Sequence, residues 1–187
     1  MCRTLCLFVL LLLLATTPLA ATAQQPAPTA NPADDLLAAW NREAKKLVDM
    51  AEDFPEEKYS YKPTPEVRSF AEQLAHVAEA NLRFARLSRG EAPGGTPEHS
   101  SEAGTKAEIV ALLKKSFADG AELIRQAGET GLNQTIQLPN RTLSRYGLWT
   151  AAVVNAAEHY GNLVVYYRLN GLVPPTTRAA QERHRPR

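Results

Sequence analysis

Four side chains toward the C-terminal end of the sequence have types and spacing that chemistry can use: Asn155, Glu158, His159 and Asn162. At about 100° per residue on a helix they share one arc of about 100°, beside Leu148, Ala151, Ala152 and Leu163. Asn155 and His159 are i, i+4, which points both to the same side of a helix one turn apart, as a helical metal site requires. A second histidine, His76, sits in an earlier helical pattern, at the edge of an apolar arc formed by Phe70, Leu74, Val77, Phe84 and Ala85. Glu72 and Glu79 lie within a turn of it. They would raise its pKa while charged, or orient its ring on a metal.

The plainer alternative makes the Asn155–Asn162 stripe a solvated face. The contrast with the first and third helical segments argues for a lined pocket, because their outer faces are dense in Lys, Glu, Asp and Arg, whereas this stripe carries two amides, one histidine and one carboxylate among apolar neighbours. Asn81 falls near the middle of the His76 helix's apolar arc. An unsatisfied amide there would cost about 1–3 kcal/mol, so a partner is expected. His99 and His184 fall in a breaker-rich loop and in the tail, and read as solvated side chains.

The elements that must position these residues are four helices. Residues 1–23 read as a secretory leader, with Arg3 as the sole charge, an apolar run from Leu5 to Ala15 and small residues Ala21-Thr22-Ala23 before Gln24. A Pro/Ala-rich lead-in, 24–32, follows. Asn31-Pro32 supplies an N-cap and a proline at the first helical position for helix one. Ser69/Glu72 and Thr105/Glu108 form capping boxes that open helices two and three. A last helix runs from roughly Ser144 to Asn170, and Gly171 and Pro174-Pro175 end it. The segment from Gly128 to Thr142 reads as a loop, with TIQL as a short extended piece, and 174–187 as a disordered basic tail. The bundle therefore occupies 33–173. A helix of this length spans about 30 Å, and the 15-residue loop between helices two and three reaches about 50 Å, which permits parallel helices and an up-down-down-up order.

Composition narrows the function. The chain carries 21 Lys+Arg against 20 Asp+Glu, and loss of Arg3 with the leader balances the two, so the basic excess of a nucleic-acid binder is lacking. Both cysteines, Cys2 and Cys6, lie in the leader. The exported chain then has no thiolate for metal binding, nucleophilic attack or disulfides, and any ligands are His, carboxylate or amide. No membrane contact is expected after cleavage.

The segments SFAEQLAHVAEAN on helix two and NAAEHYGNLVVYYRLNGLVPP on helix four resemble the DinB-like superfamily, especially its exported members, over roughly residues 33–177. The resemblance implies an all-α four-helix bundle of up-down-down-up order. It also implies a divalent metal held by one histidine of helix two and two of helix four at i, i+4. His76 matches the first and His159 the last, while Asn155 stands at the middle position. An amide oxygen is a poorer ligand than imidazole for zinc or nickel, and suits harder cations such as manganese better. Glu158 is a candidate third ligand, although it points about 100° away from His159 around the helix, and equally a candidate for a general base or for a group that orients the ligands from behind. The expectation is a metal-dependent hydrolase, with a thiol-dependent transferase ranked lower because export removes the chain from cytosolic thiols. The alternatives are a metal-free bundle that binds a small molecule in its polar pocket, or one whose stripe packs against another subunit, as in a homodimer.

Overall fold

The computed structural model describes residues 31–92, 104–138 and 141–185, so the expected leader and His99 lie outside the described residues. In chain order it contains α1 (Pro32–Asp53), α2 (Phe70–Ser88), α3 (Lys106–Leu132), β1 (Thr135–Leu138), β2 (Arg141–Ser144), α4 (Arg145–Leu169) and α5 (Pro175–Arg183). Local chemistry sets the helix starts. Asn31 Oδ1 accepts from Ala33 N ahead of the proline that opens α1. Both capping boxes form, Ser69 with Glu72 on α2 and Thr105 with Glu108 on α3.

Contacts across the bundle give its directions. Trp40 Nε1 donates to Phe117 O at 2.9 Å, while Lys106 Nζ donates to Phe54 O at 2.7 Å, so α1 and α3 run antiparallel. Asn81 bonds Ser116, and Ser88 lines the same surface hollow as Leu123 and Ala127, so α2 and α3 run parallel. Trp40 packs on Trp149, and the Tyr167 hydroxyl donates to Met50 O at 2.9 Å, so α4 runs with α1. The order is up-down-down-up, as expected.

The core has an aromatic end, where Phe54 stacks on Phe70 at 3.8 Å and both rings pack against Tyr167. Toward the other end Trp40 wedges between Phe117 and Trp149. Gly120 permits that close approach, since a Cβ there would sit 2.5 Å from Trp40 Cζ2.

Three features differ from the sequence expectations. The helix α3 is kinked at Gly128, whose φ of 54° and ψ of −170° are non-helical and open to a glycine without strain, and helix resumes beyond it to Leu132. The expected loop contains an antiparallel β1–β2 hairpin, in which Ile136 pairs with Leu143 and is buried. The expected disordered tail is helical over Pro175–Arg183, because the Arg178 guanidinium reaches both carboxylate oxygens of Asp53 and also the Val173 carbonyl. Among the described residues no helix is long and apolar enough to cross a membrane.

Candidate functional site

The antiparallel pairing of α2 with α4 assembles the site. Gln73 on α2 and His159 on α4 are both buried, and His159 Nδ1 lies 2.9 Å from Gln73 Oε1. An amide oxygen only accepts, so Nδ1 carries the proton and Nε2 is left as a lone pair. One turn further along α2 comes His76, whose ring centroid is 5.0 Å from that of His159. One turn back along α4 comes Asn155, which the opposed helix directions bring to the same level of the bundle.

Burial pushes the His159 pKa down from its ordinary value. The Arg68 charge adds to this effect and Glu158 opposes it. The ring is therefore neutral near pH 7, the form in which imidazole is a ligand or a base. Asn155 Oδ1 is buried without a hydrogen-bond partner, which leaves an acceptor whose desolvation nothing in the protein offsets.

The stripe expected on α4 divides. His159 is buried and Asn155 half-buried, whereas Glu158 and Asn162 are exposed. Val154, Val165 and Leu169 of α4 are 51–58% exposed. Asn81 is buried as expected, and its partner is on α3: Nδ2 donates to Ser116 Oγ at 3.1 Å, and Oδ1 has no partner.

A cleft of about 530 Å³ opens beside His76, lined among others by Lys62, Arg68, Glu72, Gln73, His76 and Glu79. Glu72 faces it already committed to the Ser69 backbone and to Lys62, contacts that hold its carboxyl below the usual range. Gln73 and Arg68 escaped the sequence reading. The signal for Gln73 was present, since it lies about 60° from His76 on the apolar side of α2, where a buried amide needs a partner. Arg68 precedes the helix, and periodicity carries no information about it.

Among the described residues no cluster of three or more His, Cys, Asp or Glu is placed to hold a metal ion. The candidate donors are the two imidazoles, with the orphaned amide oxygen of Asn155 one turn before His159 on α4. With metal–nitrogen bonds of about 2.0–2.1 Å, rings at the observed separation can share an ion.

Two crystal structures of DinB-like proteins share the fold. One, from Bacillus subtilis, has a TM-score of 0.61 at 23% identity, covering 73% of this chain and 92% of the other. The second, from Bacillus cereus, has a TM-score of 0.65 at 15% identity, covering 76% and 95%. A mycothiol-dependent maleylpyruvate isomerase aligns at 0.60 and 13% identity, over 69% of this chain and 59% of its own. At such identities these likenesses speak to fold alone. No curated protein matches the sequence. The profile of the DinB superfamily matches residues 39–163, and the chain belongs to that superfamily.

Proposed function

We propose that the chain is an exported, divalent-metal-dependent enzyme of hydrolytic type, with His76, His159 and Asn155 holding the ion between α2 and α4. The observation that carries this reading is the pinned His159. Gln73 fixes its tautomer and burial keeps it neutral, with His76 at 5.0 Å. Metal-binding histidines ordinarily have their second ring N–H held in this way. When bound, the ion would supply Lewis acidity to a substrate carbonyl or phosphoryl group. Gln73 orients the ring, and Glu158 acts through the charge it presents to His159. The cleft gives a substrate access from one side, consistent with the size of small-molecule sites, about 300–1,000 Å³.

The test is hydrolysis of a panel of activated esters and phosphoesters by protein loaded with zinc, nickel or manganese. Activity that a chelator removes, and that His159→Ala lacks, supports the reading. Activity indifferent to chelator, or none with any loaded metal, overturns it. A metal-free small-molecule pocket is the second reading, favoured by the lack, among the described residues, of a cluster of three or more His, Cys, Asp or Glu. It predicts a ligand that hydrogen-bonds to Asn155 Oδ1 equally well in the presence of chelator.

A further inference from the structure

The cleft has a charged end that the histidine pair does not account for. Arg68 is half-buried on its wall, immediately before the N-cap Ser69. Its backbone is fixed from the far side, because the Tyr166 hydroxyl of α4 donates to its carbonyl oxygen. Its guanidinium, by contrast, has no carboxylate within ion-pair distance among the described residues. The nearby acids are engaged elsewhere: Glu66 bonds Thr64, and Glu72 is held by the Ser69 backbone and Lys62. A half-buried guanidinium with a planar fork of donors and no carboxylate partner among the described residues is able to take an anion.

The helix terminus beside it is not the anion site. Phe70 N donates to Tyr61 O, Ala71 N to Tyr59 O and Glu72 N to Ser69 Oγ, so the first amides of α2 are already used. The side chain of Arg68 is what remains. It lies close enough to the histidine pair for its charge to act on His159.

We propose that Arg68 anchors a carboxylate or phosphate group of the ligand, which then extends along α2 past His76. Glu79 stands on the same cleft wall almost three turns further along the helix. It repels a second anion at that end, so the ligand carries its negative charge at one end only. The inference rests on the cleft being the ligand site, as in the function proposed above, and narrows the substrate class to small molecules with an anionic group at one end only.

The experiment is a titration of ¹⁵N-labelled, metal-free protein with inorganic phosphate and, separately, with acetate, following the Arg68 Nε–H signal. A saturable shift of both this signal and the His159 ring signals is expected at millimolar anion; read on the His159 ring, which every variant retains, binding should be at least fivefold weaker in Arg68→Lys and lost in Arg68→Gln. Whichever anion binds more tightly identifies the ligand's group. Absence of a saturable shift with either anion overturns the proposal, as does unchanged anion binding in Arg68→Gln. Metal uptake by the same variants should equal wild type. Anion binding without metal uptake would leave this proposal standing and remove the metal, whereas metal uptake without anion binding would do the reverse.

Discussion

The aromatic end of the bundle and the histidine seam below it treat buried polar atoms in opposite ways. At the aromatic end the hydroxyls of Tyr59, Tyr166 and Tyr167 all reach backbone carbonyls, at Ala51, Arg68 and Met50. Nothing polar there lacks a partner among the described residues. Two to three turns back along α4, Asn155 Oδ1 is buried with none, and His159 is held in one tautomer by a buried glutamine. Hydrophobic packing and local hydrogen bonds explain the first region fully. They leave the second with an uncompensated acceptor on the helix that carries His159, a cost that a bound ligand could offset.

If the aromatic end is purely structural, Phe54→Ala should cost about 3–5 kcal/mol in denaturant unfolding while folded protein keeps its metal affinity. Lower metal affinity in the folded variant would blur the distinction. At the seam, Asn155→Leu should stabilise the fold by about 1 kcal/mol by removing the orphaned acceptor, and should weaken metal binding, a trade of stability for function. Asn155→His should instead tighten zinc or nickel binding at least tenfold, read by competition with a chromogenic chelator. Gln73→Leu frees the His159 tautomer and should weaken metal binding about tenfold to a hundredfold. Equal affinity in that variant would separate Gln73 from the site.

The smallest effect belongs to the α5 latch. Hydrogen bonds from Arg178, opposed in part by burial, hold the Asp53 carboxyl below its ordinary value. A depressed carboxyl stabilises the fold above its unfolded pKa, and that contribution is lost as pH falls through the folded one. Both side chains are largely exposed, so Arg178→Ala should cost less than about 1 kcal/mol, with the difference from wild type vanishing in acid.

Much of the bundle is legible in the sequence because capping is local. Asn31, Ser69 and Thr105 announce three helix starts within four residues of chain, and the structure forms all three caps. The hairpin was harder to read, since Arg141–Ser144 has little apolar alternation and gains its pairing from β1. The α5 helix depends on Asp53, 125 residues away from Arg178, a contact no window on the sequence contains. At the site, His76, Asn155 and His159 could be picked out by type and spacing. Which members of the α4 stripe turn inward could not, because α4 is apolar on nearly every side and its orientation is decided by Trp149, Leu163 and Tyr167 entering the core.

The central claim is that the histidine seam is maintained for a divalent ion. Its most direct test is the metal content of tag-free protein after equilibration with zinc, nickel or manganese, compared with His76→Ala and His159→Ala. Close to one equivalent in the parent protein and little in either variant is the predicted result. Equal metal in all three proteins, or none in the parent, would contradict it.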